Sequence, residues 1–326
     1  MDLSIVIVNW NSIEFTKDCL ASIEATIARL DYEIIVVDNA SEPAACLELS
    51  RRFSRTRVIC SQSNVGFARA SNLGATHSSG KNILFLNPDT LILGHAIQKL
   101  VCKLECDSAI GAVGAKLLNK DRTVQLSCVR PFPTIFNQLF AIDYLKRRTP
   151  RLPVWGTKAL LPENVDACHE VDALSGACIL VRRSAFEAVR GFCTDFFMYA
   201  EDTDLCYRIR RDGWAVLYVG EAEVVHLGGQ SSEKTDVGFS DVIMRESIFT
   251  FLRKYRGPWY ARLYRCALFV SASMRLAILC CIIPISASNR GKTRRAFTKW
   301  MKIATWSMGR ATWVTSLSDN QVQPSS

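Results

Sequence analysis

Short apolar runs alternate with amphipathic segments along the N-terminal third of the chain. The runs are continuous and rich in β-branched residues, as buried strands are, and they cover residues 4–8, 33–37, 57–59 and 81–86. Between them, residues 16–30 and 67–77 place apolar side chains at helical spacing. Because strands alternate with helices, the pattern predicts an α/β fold with a mostly parallel sheet that helices cover on both faces.

The second half of the chain has a different pattern. Strands are predicted at residues 110–117, 173–181, 215–219 and 222–226, and helices at residues 184–189 and 203–212. Residues 130–170 contain several prolines and the basic run Lys146-Arg147-Arg148, so we expect a flexible insertion that faces a partner. Beyond residue 240 the pattern is helical, which predicts an α/β domain over residues 1–240 and a C-terminal helical region over residues 241–326.

The C-terminal region combines apolar and basic character. Residues 266–285 are strongly apolar, and residues 289–302 are basic with interleaved aromatic side chains. The apolar segment is long enough to span a bilayer, but Arg275 near its centre would cost about 2.5–3.5 kcal/mol on insertion scales. The pattern therefore favours a peripheral pair of helices on an anionic membrane surface. A buried core helix and a single span over residues 266–285 are the alternatives.

The net charge and the cysteine content indicate which binding partners and which cellular compartment to expect. The net charge of +9 favours anionic partners, and because the basic residues cluster beside apolar helices, we expect lipid and not nucleic acid. The thirteen cysteines are odd in number and irregularly spaced, which predicts reduced thiols. Residues 3–8 are too short for a signal peptide and lack its basic flank. We therefore expect a cytoplasmic protein that is peripheral on the cytoplasmic face of the membrane.

Polar residues directly follow two of the predicted strands. Asn87 and Asp89 follow the fourth strand, and Asp38 follows the second. In open α/β sheets the ligand crevice lies at the carboxyl ends of the strands. A carboxylate there can hold Mg²⁺ or Mn²⁺, which in turn can bind a diphosphate. Each residue also has a purely structural interpretation, because aspartate and asparagine are common in turns.

Two further sites carry candidate chemistry. Glu201 and Asp202 open the helix predicted at residues 203–212, where acidic side chains stabilise the helix dipole or, alternatively, supply a general base. We favour Asp202 over Asp204 as the base, because Asp204 lies deeper in the helix. His226 ends a predicted strand before two glycines. A neutral imidazole there can join a carboxylate on Mn²⁺, although a lone histidine is also commonly structural.

Seven segments, taken in order, resemble the motifs of the family 2 glycosyltransferases, and in particular the rhamnosyltransferase-like subgroup of polysaccharide and O-antigen assembly. They are residues 4–11, 36–41, 64–68, 86–90, 175–178, 199–208 and 225–226. The resemblance extends over residues 2–255. One position departs from the family's Asp-x-Asp motif, because Asn87 stands in place of the first acid and brings no charge to a cation.

The resemblance implies a GT-A fold, with a nucleotide-binding half over residues 1–110 and an acceptor half over residues 111–240. It implies a metal-dependent, inverting transfer of a hexosyl group from a nucleotide diphosphate sugar. The acceptor would be a hydroxyl of a lipid-linked saccharide or a growing polysaccharide, and rhamnose is the sugar that the subgroup suggests.

The resemblance also assigns roles to individual residues of this sequence. Asp202 would be the catalytic base, with Glu201 beside it, and Asp89 and His226 would hold Mg²⁺ or Mn²⁺. The donor nucleotide would be bound by Asn9, Asp38, Asn64, Gly66, Arg69 and Asn87.

Two other classes of protein are weighed against this one. A regulatory protein of the same fold could bind the nucleotide sugar without turning it over, and the presence of Asp89, Asp202 and His226 argues against it. A nucleotidyltransferase would need a glycine-rich, basic loop after the first strand. Residues 9–12 contain neither glycine nor lysine, which disfavours that class.

Overall fold

The computed structural model of the protein describes residues 1–41, 43–53, 55–139, 165–228, 238–282 and 290–310. Its strands are β1 (Leu3–Asn9), β2 (Tyr32–Asp38), β3 (Thr56–Cys60), β4 (Asn82–Leu86), β5 (Thr90–Ile92), β6 (Ile110–Leu118), β7 (Val129–Arg130), β8 (Cys168–Glu170), β9 (Ala173–Leu174), β10 (Cys178–Arg182) and β11 (Ala215–His226). Its α-helices are α1 (Ile13–Thr26), α2 (Pro43–Arg52), α3 (Phe67–Thr76), α4 (Ala96–Glu105), α5 (Ile135–Leu139), α6 (Arg183–Ala188), α7 (Glu201–Arg211), α8 (Phe239–Arg256), α9 (Pro258–Ile282) and α10 (Arg290–Ser307). The expected insertion at residues 130–170 falls largely outside these residues, as do residues 283–285 of the predicted apolar segment.

Within the described residues, nine strands form one sheet in the order β3-β2-β1-β4-β10-β6-β11-β5, with β8 paired to β11. The first four strands in this order are parallel to one another, and β6 is parallel to β11. Strand β10 runs antiparallel to both β4 and β6. The predicted α/β fold with a mostly parallel sheet is therefore confirmed, with one antiparallel strand inserted at its centre.

Continuous apolar sequence explains why the central strands lie inside. All residues of β1, β4 and β6 are buried, as expected for strands that are covered on both faces. The apolar faces of α1 and α4 pack onto the sheet, with Leu20, Ile23, Ile97 and Leu100 fully buried. This tightly packed apolar core fixes the positions of the carboxyl ends of β1, β2 and β4.

The chain separates into two compact units. The first comprises residues 1–132, 156–194 and 201–231 and holds the sheet, and the second comprises residues 133–155, 195–200 and 232–326 and holds α8, α9 and α10. In the second unit the three long helices bury one another's apolar faces, with Phe251, Tyr264, Leu268 and Trp306 almost fully covered.

Some elements differ from the sequence prediction. The strand predicted over residues 173–181 is divided into β9 and β10, because the backbone at Ser175 and Gly176 leaves the sheet ladder. The strands predicted at residues 215–219 and 222–226 form the single strand β11, with an irregularity in its register between Val219 and Glu223. Helix α4 and the short strand β5 were not predicted.

Among the described cysteines, all but Cys60 agree with the prediction of reduced thiols. Eleven cysteines of the described residues are free thiols, and burial raises the pKa of the Cys19 and Cys178 thiols to about 12. Cys60, at the end of β3, is disulfide-bonded, so the prediction of reduced thiols is wrong there. Sequence spacing could not reveal this, because a disulfide depends on distances that the fold alone sets.

Candidate active site

The carboxyl ends of β1 and β2 meet in a hydrogen-bonded pair. Asn9 and Asp38 are paired in the parallel register, and Nδ2 of Asn9 donates to Oδ1 of Asp38 over 2.5 Å. The other carboxylate oxygen of Asp38 accepts the backbone N–H of Ser41 at 2.9 Å. Thr16 and Ser12 both donate to Oδ1 of Asn9 at 2.9 Å. The Asn9 amide is therefore fully used in holding the buried Asp38 carboxylate at the sheet edge.

A second hydrogen-bonded link joins this edge to α3. Nδ2 of Asn39 donates to Oδ1 of Asn64 at 2.8 Å, and the same oxygen accepts the backbone N–H of Gly66 at 3.0 Å. Gly66 has φ +80°, a conformation that favours glycine, and it immediately precedes α3. On the first turn of α3, the buried Nε of Arg69 has no hydrogen-bond partner in the described structure. An orphaned guanidinium N–H at a helix start is suited to an anionic ligand.

Asp89 and His226 lie side by side where β4 and β11 end and β5 begins. Oδ1 of Asp89 is 3.5 Å from Nε2 of His226, and Nδ2 of Asn87 is 3.4 Å from the same ring nitrogen. The backbone of β11 is held here, because His226 pairs with Thr90 and Leu227 donates to the carbonyl of Asp89 at 2.9 Å. Asn87 and His226 are thus adjacent in the fold although they are 139 positions apart in the sequence.

The Asp89–His226 pair fits a divalent cation that substrate would help to coordinate. Within the described residues, no group of three or more His, Cys, Asp or Glu side chains could hold a metal ion by itself. Carboxylate oxygen and imidazole nitrogen both suit Mn²⁺, and Mg²⁺ usually retains positions for water and for substrate phosphate. Two protein ligands at the mouth of a nucleotide site are consistent with that requirement.

Asp202 lies at the N-terminus of α7 and is buried, and it forms a long ion pair with Arg130. Its Oδ2 accepts the backbone N–H of Gly176 at 2.8 Å and lies 3.5 Å from Nη1 of Arg130. Its Oδ1 accepts the backbone N–H of Thr203 at 2.7 Å. Backbone donors therefore fix the orientation of the Asp202 carboxylate at the start of α7.

Glu201, next to it, behaves differently. It is buried, and its Oε2 has no hydrogen-bond partner in the described structure. Burial, followed by the neighbouring charge of Asp202, raises the pKa of Glu201 to about 8. Glu201 is therefore neutral near neutral pH. The approach to this helix is strained, since Tyr199 and Ala200 both have positive φ, near +70° and +62°.

A short run of backbone joins Asp202 to the Asp89–His226 pair. Strand β10 pairs with β4 so that Cys178 lies opposite Leu86. The backbone N–H of Asn87 donates to the carbonyl of Ala177 at 3.0 Å, and the preceding residue, Gly176, is the one that binds Asp202. The two groups of acidic residues predicted from the sequence are therefore brought together at one sheet edge.

Sequence reasoning did not identify the roles of four residues at this edge. Three act through their side chains, namely Asn39, Gln125 and Arg130, and Gly176 acts through its backbone N–H, which donates to Asp202. Gln125 is the clearest case. Its Oε1 lies 3.0 Å from Nδ1 of His226, and its Nε2 donates to the backbone carbonyl of His226 at 2.7 Å. A single glutamine 101 positions from its histidine gives no sequence signal.

The sequence of this chain matches a family of known proteins. Glycosyl transferase family 2 matches residues 4–190, more than half of the chain. The N-acetylglucosaminyl-diphospho-decaprenol L-rhamnosyltransferase of Mycobacterium tuberculosis is 28% identical over 305 residues, which are 90% of this chain and 96% of that protein. The rhamnosyltransferase WbbL of Escherichia coli K12 is 26% identical over 231 residues, which are 68% of this chain and 82% of that protein.

Solved structures agree in fold. The mannosyltransferase PcManGT of Pyrobaculum calidifontis, in complex with GDP-Man and Mn²⁺, has a TM-score of 0.57 at 16% identity, covering 98% of this chain and 86% of that one. Residues 1–349 of Staphylococcus aureus TarS give a TM-score of 0.50 at 14% identity, covering 97% and 92%. The GT-A fold is thereby confirmed, and the chain belongs to glycosyl transferase family 2.

Proposed function

We propose that the protein transfers a sugar, with inversion, from a nucleotide diphosphate donor to a hydroxyl of a lipid-linked or growing polysaccharide acceptor. The observation that carries this proposal is the juxtaposition at one sheet edge of two groups with different chemistry. Asp89 and His226 offer ligands for a cation, and the hydrogen bond from Gly176 holds the buried Asp202 carboxylate beside them.

The donor nucleotide binds along the carboxyl ends of β1 and β2. Asp38 accepts hydrogen bonds from the base, with Asn9 fixing its carboxylate. Asn64 and Gly66 shape the start of α3, and Arg69 supplies its unpartnered N–H to the anionic part of the donor. Asn87, at the end of β4, donates to the ribose. The uncharged amide suits this role because a hydroxyl needs no counter-charge.

Asp89 and His226 would together hold Mg²⁺ or Mn²⁺. When bound, the cation neutralises the charge that develops on the departing diphosphate. The chain's own contribution is to direct a carboxylate oxygen and a ring nitrogen toward one point, 3.5 Å apart. Asn87 adds an uncharged group there, so the affinity for the cation depends on Asp89, His226 and the diphosphate.

Asp202 takes the proton from the acceptor hydroxyl, and that oxygen attacks the anomeric carbon on the face opposite the diphosphate, which inverts the configuration. Positioned general bases contribute about 10²- to 10⁴-fold to the rate of such a step. Glu201 stays protonated near neutral pH because burial raises its pKa to about 8. A neutral Glu201 adds no negative charge beside Asp202.

The relatives support rhamnose as the transferred sugar and a lipid-linked saccharide as the acceptor. The M. tuberculosis relative is named for L-rhamnosyl transfer to N-acetylglucosaminyl-diphospho-decaprenol, and the Shigella flexneri relative RfbF for transfer from dTDP-rhamnose. Because the first of these covers 90% of this chain, the likeness extends beyond the sheet and reaches α8 and α9.

The C-terminal helices give a surface that suits an anionic membrane. Helix α9 is long and apolar enough to cross a bilayer, and its most apolar window is only 17% buried. One stripe of α9 exposes more than half of each of five apolar side chains, which are Trp259, Leu263, Val270, Met274 and Ile278. Arg275 does not weaken this stripe, because its guanidinium lies 4.4 Å from the Trp300 ring centroid, against α10.

Basic side chains flank the stripe. Arg256 and Arg262 are exposed near the start of α9, and Arg294 and Arg295 are exposed on α10. An apolar stripe with a basic border favours a helix that lies in the interface of an anionic leaflet. We therefore propose that the protein is peripheral on the membrane, and on its cytoplasmic face.

A panel of nucleotide sugars tests the proposal. The full chain is incubated with each donor and Mg²⁺ or Mn²⁺, with and without a polyprenyl diphosphate saccharide. Release of the nucleoside diphosphate and the anomeric configuration of the product are then measured by chromatography and NMR. Metal-dependent transfer with inversion from dTDP-rhamnose supports the proposal. Donor binding without release or transfer, for every donor, would support the non-catalytic alternative.

A further inference from the structure

Gln125 contacts His226 through both ends of its side-chain amide. Nε2 of Gln125 lies 2.7 Å from the backbone carbonyl oxygen of His226, and Oε1 lies 3.0 Å from the ring nitrogen Nδ1. A carbonyl oxygen can only accept a hydrogen bond, so the NH₂ group must face it. The amide oxygen therefore faces the imidazole, and the orientation of the Gln125 amide is determined by the geometry.

This orientation determines which nitrogen of His226 carries the proton. An amide oxygen has no hydrogen to donate, so Nδ1 must be the donor. In the neutral ring, Nε2 then keeps its lone pair, and Nε2 is the nitrogen that lies 3.5 Å from Oδ1 of Asp89. The opposite tautomer would point an Nε2–H at Asp89, and the two candidate ligands would bind each other instead of a cation.

The backbone holds Gln125 firmly in this place. Its N–H donates to the carbonyl of Leu117 at 2.8 Å, at the end of β6. Two backbone hydrogen bonds close the tight turn before it. Arg122 donates to the carbonyl of Asn119 at 2.9 Å, and Asn119 donates to the carbonyl of Thr123 at 2.8 Å. Since β6 pairs directly with β11, Gln125 is hydrogen-bonded to the strand next to the one that His226 ends.

We infer that Gln125 is a positioning residue that keeps His226 in the Nδ1–H tautomer and thereby sets the affinity of the Asp89–His226 pair for a divalent cation. The inference rests on the proposed function in assigning a cation to that pair. Histidine ligands of metals generally donate their second ring N–H to such a group, and removing it typically lowers metal affinity about 10- to 100-fold.

Two variants of Gln125 separate positioning from a merely structural role. Gln125→Met keeps the length of the side chain and loses the amide. Gln125→Glu keeps an oxygen acceptor for Nδ1–H. Gln98→Met is the matched control, because Nε2 of Gln98 also donates to a backbone carbonyl, that of Thr26, at 2.9 Å, but on α4.

The first measurement is NMR of the metal-free full chain with ¹⁵N-labelled histidine, above the ordinary histidine pKa. The chain has only four histidines, and His226→Gln identifies the signals of His226. We expect the Nδ1–H tautomer in the wild type, in Gln125→Glu and in Gln98→Met. We expect a shift toward Nε2–H in Gln125→Met, with unchanged signals from the other histidines as evidence of an intact fold.

The second measurement is Mn²⁺ binding by electron paramagnetic resonance, with and without a nucleoside diphosphate. We expect Gln125→Met to bind Mn²⁺ about 10- to 100-fold more weakly than wild type and Gln125→Glu to restore binding. A wild-type His226 protonated on Nε2, or a Gln125→Met variant with unchanged tautomer and Mn²⁺ affinity, would overturn the inference. Failure of the proposed function has a different signature, namely the expected tautomers and Mn²⁺ affinities without sugar transfer from any donor.

Discussion

Arg208 donates its Nε–H to Oδ2 of Asp204 over 2.6 Å, one turn apart on α7. The Asp204 side chain is fully buried, and Arg208 also donates to the backbone carbonyls of Val189 and Gly191. Asp204 is therefore engaged in holding α7 against the loop that follows α6. Asp202, two residues earlier, has a 3.5 Å contact with Arg130, backbone donors and the Thr203 hydroxyl at 3.2 Å. The two aspartates of one motif thus serve different purposes.

Replacing Asp204 should affect stability and not chemistry. We expect Asp204→Asn to lower the free energy of unfolding by about 3 kcal/mol, because removing one member of a buried ion pair leaves the other charge uncompensated. Urea titration of the full chain measures this loss. The fraction that remains folded should transfer sugar at close to the wild-type rate, and a folded but inactive variant would instead make Asp204 part of the chemistry.

Replacing Asp202 should have the opposite effect. Asp202→Asn keeps the size of the side chain but cannot take a proton, so we expect transfer to fall about 10²- to 10⁴-fold. Donor binding, measured by calorimetry, should change little. The matched control is Asp18→Asn, an exposed aspartate on α1, which should behave as wild type. Normal turnover by Asp202→Asn would remove this residue as the base.

Glu201 predicts a pH dependence of stability. Its pKa is raised from the ordinary value of 4.5 to about 8 in the folded protein, mainly by burial. Between these values the folded state binds a proton that the unfolded state has lost, so stability falls as the pH rises from about 4.5 to about 8. Glu201→Gln removes this titration.

Urea titrations at several pH values compare the two proteins. The wild type should lose more stability than Glu201→Gln between pH 5 and pH 8, by an amount that grows steadily through this window. Parallel pH profiles for the two proteins would show that Glu201 is already ionised at neutral pH, and its assignment as a neutral acid would then fail.

The sequence predicted the residues at the strand ends better than the contacts between residues that are distant in the chain. Continuous apolar strands ending in Asn87 or Asp38 are local signals, and the structure places both residues at the sheet edge as expected. The antiparallel direction of β10 has no local signal, since it depends on where the chain returns after residues 140–164, which lie outside the described structure. Gln125 and Arg130 could not be found for the same reason, because their partners are distant in sequence and the fold alone brings them close.

Asp89 should control the binding of the donor only when a cation is present. We expect Asp89→Ala to weaken nucleoside diphosphate binding about tenfold or more with Mn²⁺ and to leave metal-free binding unchanged, since Asp38 and Arg69 lie elsewhere along the edge. Calorimetric titrations with Mn²⁺ and with a chelator measure the difference, and Asp18→Ala serves as the control. An unaltered Mn²⁺ dependence would exclude Asp89 from the cation site.

The apolar stripe of α9 should determine membrane binding. Trp259 and Met274 are 76% and 62% exposed, so each gains apolar burial in a lipid interface. Replacing one of them with serine should cost about 1 kcal/mol, or roughly fivefold in partitioning onto anionic vesicles. The double variant should bind about 30-fold more weakly. Sedimentation with vesicles of anionic and of zwitterionic lipid measures both effects, and the anionic preference should decrease with salt.

Leu126→Ser is the matched control, because Leu126 is an exposed apolar residue in the sheet-containing unit. It should bind vesicles as the wild type does. Washing natural membranes with carbonate separates two ways in which α9 could use its apolar stripe. A helix lying in the interface is released, whereas a spanning helix is retained because its backbone and side chains lie in the hydrocarbon core. Retention after the wash, together with unchanged partitioning of the serine variants, would favour a span over residues 258–281.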